Sequence, residues 1–148
     1  GRPVLEPALL CLDRDVTSKA DGIKLHTDNL EVEQRVRSGT EVEQAIWQRE
    51  AVFSTALGFA VAIPHCKSVA VLSSSVSLMR LNTPLSWGED VEVSLVIMLT
   101  VSEQEKGDHM KIFSRLARKL MHEDFRQQLL QGRDARDMTA LLERELTL

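Results

Sequence analysis

The sequence predicts a single layered α/β domain, and three observations carry that prediction. The 148-residue chain is 43% hydrophobic and 27% charged, the balance of a protein that buries one core of ordinary domain size. Its strand-type segments cluster in the middle, from Thr55 to Val101. Helical periodicity flanks them on both sides, and strands between two sets of helices fit a sheet covered by helices.

The elements follow in order. Leu9, Leu10 and Leu12, with Cys11 among them, read as a short first strand or as an ordered lead-in. From Thr17 the spacing of Ile23, Thr27 and Leu30 predicts a helix, weakened by Gly22. A polar segment from Glu31 to Arg37 ends at Ser38-Gly39, a helix stop. Thr40 with Glu43 reads as a capping box that opens the next helix. Val42, Ala45, Ile46 and Phe53 recur on one face of that helix, and Arg49 falls on the same face. A buried guanidinium needs a partner, so Arg49 reads as an interior salt bridge, a rim arginine or a functional group.

The run from Thr55 to Ile63 is strand-like and stops at Pro64, which cannot donate to a ladder. His65 is then expected at a strand end or on the loop beyond, where open sheets place their chemistry. Val69 to Leu72 and Val76 to Leu81 read as strands, and Asn82 to Asp90 as a turn-rich connection. Val91 to Val101 is apolar at every position from Leu95 to Leu99, which predicts a central strand covered on both faces. After a polar loop, Asp108 is a plausible N-cap of a helix bearing His109, Ile112, Phe113, Leu116 and Leu120. Asp124 and Asp134 are placed as caps of two further helices, with Phe125, Leu129 and Leu130 on one and Met138, Leu141, Leu142 and Leu146 on the other.

Several function classes are disfavoured. A net charge of -4 and a pI near 5.6 argue against a general nucleic-acid binder. The longest apolar run falls short of the ~20 residues of a membrane helix. Cys11 and Cys66 have no metal-ligand spacing and are too few for a disulfide framework, so a reducing cytosol fits best. No signal peptide opens the chain, and its start at Gly1 without methionine leaves room for a domain cut from a longer polypeptide. Phosphate-loop, dinucleotide, zinc and nucleophile-elbow motifs are absent. Arg49, His65 and His109 remain as candidates on element ends or inward faces. A lone histidine near an apolar face is more often a packed or rim residue, and His26 and His122, in polar surroundings, read as surface. Cys66 invites a nucleophile reading, but nothing in the sequence supplies the electropositive setting a reactive thiol needs. Two histidines with an arginine suit the handling of phosphate, with an imidazole as nucleophile and cations around the transferring oxygens.

Glu50, six intervening residues, then Leu57-Gly58-Phe59-Ala60-Val61-Ala62-Ile63-Pro64-His65-Cys66 closely resembles the active-site signature of enzyme IIA domains. These belong to the fructose/mannitol family (type 2) of the sugar phosphotransferase system. Arg49-Glu50, Ser54-Thr55, Pro84-Leu85-Ser86-Trp87 with the following strand, and His109 with Leu116-Ala117 resemble the family as well. The resemblance runs from about Leu9 to the end. It implies a three-layer domain of the mannitol type, with a central mixed sheet flanked by helices, over residues 1–148. It implies a cytoplasmic phosphotransferase domain without cofactor or metal. A histidine-containing phosphocarrier protein would phosphorylate His65 as a tele-phosphohistidine. A IIB domain would receive the group, with the membrane IIC component served indirectly. By the same resemblance Arg49 and His109 assist, and Thr55 adds a hydroxyl to the phosphoryl group. A nitrogen-type regulatory IIA domain, phosphorylated on His65 but controlling a partner protein, is the alternative, and a binding module without phosphotransfer a third reading. Ala56 and Ala60 stand where the family often has glycine, so they are expected at negative φ, or at an energetic cost where φ is positive. Cys66 stands where the family commonly has a small residue, which favours packing over reactivity.

Overall fold

The computed structural model describes residues 2–107 and 109–148. A 3-10 turn at Pro7–Leu9 leads into β1 (Leu10–Arg14), and α1 (Lys19–Val32) and α2 (Gly39–Val52) follow. Four short or long strands come next: β2 (Ala56–Gly58), β3 (Val61–Ala62), β4 (His65–Ser68) and β5 (Ser75–Gly88). β6 (Val91–Ser102) and three helices, α3 (His109–Leu120), α4 (Glu123–Gln131) and α5 (Ala135–Leu146), complete the chain. The strands form one mixed sheet in the order β1-β5-β6-β3-β2, with β4 also paired to β6.

Alternation along β5 defines the layers. Ser77 points to α1, where it meets His26, and Arg80 points the other way, to the end of α4. Helices therefore cover both faces, as expected of a three-layer domain. β6 is the spine: Leu95 to Leu99 are all buried, and it pairs with β5 on one side and with β3 and β4 on the other. Among the described residues no helix is long and apolar enough to cross a membrane.

Several local expectations are corrected. The stretch around Pro64 is not one strand that ends there. β2 and β3 form a hairpin, and β3 and β4 then run along β6 in one unbroken register, Ala62 opposite Val96 and His65 opposite Leu99. The proline lacks a donor, but its carbonyl still accepts from Leu99 N at 3.0 Å, so the ladder resumes at His65. Ala60 sits at φ +63° and its neighbour Phe59 at +56°, so alanine here occupies the left-handed turn that glycine takes without strain. Val69 to Leu72 form no strand; Val71 makes an isolated bridge to Val36. Asn82 to Gly88 continue β5 past Pro84, which is exposed where the β5–β6 register shifts. Leu85 and Trp87 keep the inward alternation, and only Glu89 and Asp90 make the turn.

The helix caps also differ. Ser38 caps α2 by accepting from Glu41 N, and Glu31 accepts from Gly39 N, so Ser38-Gly39 starts a helix rather than stopping one. Thr40 lies inside the first turn. Asp124 lies within the first turn of α4, whose N-cap position is His122 without a side-chain bond. Asp134 caps α5 as expected. The expected Asp108 cap lies outside the described residues.

His26 is not a surface residue. Its ring is 1% exposed, with Nε2 donating to Val96 O at 3.0 Å and Nδ1 3.1 Å from Ser77 Oγ. Burial pulls this imidazole down to about 4, so it packs as a neutral ring between α1 and the sheet.

Candidate active site

A cavity of about 700 Å³ opens where α2, β4, the end of β6 and the start of α3 converge, and it brings together His65, Arg49 and His109. Each is placed by a different local device. His65 opens β4 directly after Pro64. Its Nδ1 lies 2.7 Å from the Ile63 carbonyl oxygen, which can only accept, so Nδ1 carries the proton and Nε2 keeps a free lone pair.

The buried stripe of α2 is Val42, Ile46 and Glu50, not a stripe ending at Phe53, whose side chain is exposed. Arg49 flanks that stripe, half-buried. It donates through Nη1 to Phe53 O at 2.6 Å and makes no ion pair among the described residues. Its remaining donors are available to an incoming acceptor. His109 opens α3, and its Nε2 is buried without a hydrogen-bond partner among the described residues, 4.0 Å from Glu105 Oε1.

Glu105 was not foreseen from sequence. It lines the same cavity and accepts from Ser74 N at 2.6 Å. Burial alone would raise its carboxyl, but the bonds from Ser74 outweigh that and hold it below its ordinary value. Nothing in the polar loop distinguishes Glu105 from Glu103; only the fold brings Ser74 to it.

Thr55 is not brought into this group. It is 4% exposed, does not line the cavity, and donates its hydroxyl proton to Glu50 Oε2. A phosphoryl oxygen needs a donor, and that donor is already engaged. Cys66 does line the cavity, but burial pushes its thiol up to about 12, far from a nucleophile at neutral pH. His122 is exposed on the α3–α4 connection, away from these groups. Among the described residues no cluster of His, Cys, Asp or Glu side chains is arranged to hold a metal ion.

A guanidinium with spare donors beside a ring nitrogen whose free lone pair can act as a nucleophile, with a second imidazole in the same cavity wall, suits the handling of a tetrahedral oxyanion. The class that this fold suggests is shown by the sequence comparisons. Residues 4–145 match the family described as phosphoenolpyruvate-dependent sugar phosphotransferase system, EIIA 2, and the chain belongs to that phosphocarrier family. It is 45% identical over 147 residues to multiphosphoryl transfer protein 2 of Escherichia coli (strain K12), a match that covers 99% of this chain and 18% of that protein. The chain thus spans less than a fifth of the length of that relative. Among solved structures, nitrogen regulatory protein IIA-Ntr from Neisseria meningitidis aligns with a TM-score of 0.84 at 30% identity, covering 94% of this chain and 96% of that one. Enzyme IIA mannitol of Escherichia coli, solved in complex with phosphorylated enzyme IIB mannitol, shares the fold with a TM-score of 0.78 at 23% identity over 95% and 97%.

Proposed function

We propose that His65 carries the phosphoryl group on Nε2, taking it from a histidine-containing phosphocarrier protein and passing it to a IIB domain of a sugar transporter. The observation that carries this reading is the Nδ1–H bond to Ile63, which frees Nε2 inside the cavity shared with Arg49 and His109. In the step, the Nε2 lone pair attacks phosphorus in line. The donor's P–N bond breaks and its electron pair returns to the donor imidazole. Positive charge then builds on the His65 ring, and the Ile63 carbonyl meets it at Nδ1–H. The transition state is loose and metaphosphate-like, so positioning and charge carry the rate. Arg49 spans two phosphoryl oxygens with its planar fork, and His109 donates from Nε2.

Val52, Phe53, Leu57 and Phe59 are exposed at the end of α2 and on the β2–β3 hairpin, an apolar surface that suits docking by donor and acceptor. Radiolabelled phosphoenolpyruvate with enzyme I and the phosphocarrier should label the chain in an acid-labile, base-stable bond, and His65→Ala should abolish the label. Unchanged labelling of His65→Ala would overturn the assignment. The likeness to nitrogen regulatory protein IIA-Ntr favours a second reading, control of a partner protein. Transfer from the labelled chain to a sugar-specific IIB domain separates the two, because a regulatory domain should give none.

A further inference from the structure

We propose that Glu50 is a positioning residue for His65, acting through Thr55 and the backbone of Ile63; the proposal rests on the phosphocarrier reading above. The Glu50 side chain is 2% exposed at the last turn of α2. Oε1 takes Lys19 Nζ at 2.8 Å, Trp87 Nε1 at 3.1 Å and Thr55 N at 3.5 Å, and Oε2 takes the Thr55 hydroxyl. Burial pushes this carboxyl upward, but Lys19 and Thr55 outweigh it and keep it below its ordinary value, hence ionised. Lys19 is itself confined, with Nζ 4.9 Å from the Trp87 ring centre and 5.4 Å from that of Trp47. One carboxylate therefore ties together α1, α2, β5 and the residue that enters the β2–β3 hairpin.

From there a file of single hydrogen bonds leads to the reactive ring. The Thr55 carbonyl accepts Ile63 N–H at 3.0 Å, and the Ile63 carbonyl accepts His65 Nδ1–H at 2.7 Å. Pro64, with its fixed φ, lies between the last two. Only the Nδ1–H tautomer leaves Nε2 free to attack, so whatever fixes the Ile63 carbonyl selects the reactive form. Thr55, with its hydroxyl turned to Glu50, is the first link of this file.

The test compares Thr55→Val, Thr55→Ser and Glu50→Gln with the unmodified chain. Ring nitrogen shifts of His65 from 15N NMR read the tautomer without any phosphorylation, and saturation kinetics of phosphoryl uptake read the consequence. The unmodified chain and Thr55→Ser should hold the Nδ1–H form. Thr55→Val and Glu50→Gln should show mixed tautomers, with the saturated rate down about tenfold and the half-saturating donor concentration within about twofold. Cooperative melting of each variant shows that the fold persists. If Glu50→Gln does not fold, the Thr55 pair decides. The proposal is overturned if Thr55→Val keeps the Nδ1–H form and its saturated rate, or if it fails to fold, which makes the bond purely structural. If the unmodified chain takes no phosphoryl group, the functional reading fails, while the tautomer comparison still decides the positioning role.

Discussion

Acidification should destabilise this domain through a single ring, His26. Its neutral form is bonded at both nitrogens between Ser77 and the Val96 carbonyl, and Val96 pairs across β6 with Ala62 of the hairpin that leads to His65. Burial lowers the ring from an ordinary 6.5 to about 4 in the folded state. Between those values the unfolded chain binds a proton that the folded chain refuses, so stability falls as pH drops through 6.5 and stops falling below about 4. The full difference is worth about 3 kcal/mol, of which about 2 kcal/mol is expressed by pH 5. The carboxyls held below their ordinary values, Glu50 and Glu105 among them, add their own losses only at and below ordinary carboxyl values, so the window from pH 7.5 to 5 isolates His26. Urea denaturation across that window should show the loss in the unmodified chain. It should be nearly absent in His26→Gln, which is neutral throughout and can still donate to Val96 O. Equal slopes in the two proteins would refute a buried neutral His26.

Four further outcomes are expected. Arg49→Ala should slow phosphoryl uptake about 10²- to 10³-fold, and Arg49→Lys should recover only part of it, because charge returns without the fork; uptake within twofold in Arg49→Ala, measured by quench-flow, would remove Arg49 from the site. Cys66, pushed from 9.0 to about 12, should react with iodoacetamide at pH 8 about a thousandfold more slowly than an ordinary thiol; stoichiometric labelling of the folded chain within minutes would contradict this. Arg80 donates to the carbonyls of Leu129, Leu130 and Gly132 at the end of α4 and pairs with Asp13, so Arg80→Met should cost about 2–4 kcal/mol in chemical denaturation, and a cost below about 0.5 kcal/mol would refute the capping role. Ala60→Gly should stabilise the domain by about 0.5–1 kcal/mol by removing Cβ strain at φ +63°, and a lowered melting temperature would show that Ala60 is unstrained there.

What was legible in the sequence follows from the range of the forces involved. β6 was legible because a strand covered on both faces must be apolar at every position, and Asp134 because a cap acts within three residues. His65, Arg49 and His109 were readable only as separate candidates on element ends or inward faces, and the fold is what brings them to one cavity. His26 was misread because its neighbours in sequence, Lys24 and Asp28, are polar and ion-paired with each other, while its partners Ser77 and Val96 are distant along the chain. Pro84 suggested a turn, but a register shift absorbs it, and the inward alternation of Leu85 and Trp87 was the sign that β5 continues. Glu50 was visible only as the start of a signature, since nothing local links it to Lys19 or Trp87. Thr55, expected to offer its hydroxyl to a phosphoryl group, is turned to Glu50 by the same long-range network.

The charges around the cavity suit transfer better than storage. A cage of cations alone would hold a phosphoryl dianion in the ground state and so raise the barrier to giving it up, because only interactions that strengthen toward the transition state speed a step. Here the cavity is lined by Arg49 and Lys67 but also by Glu105, whose carboxylate lies 4.0 Å from His109 Nε2. Its bond to Ser74 N at 2.6 Å keeps it there, and swinging away would leave that backbone donor unpaired. In the proposed carrier, Glu105 therefore offsets part of the attraction felt by the bound phosphoryl group. Arg49 acts most strongly when that group is planar and its charge is spread over three equatorial oxygens, as it is halfway between two imidazoles. In the proposed carrier, mixed signs in the cavity would weaken the hold on the resting phosphoryl group, which suits a domain that both takes and gives the same group.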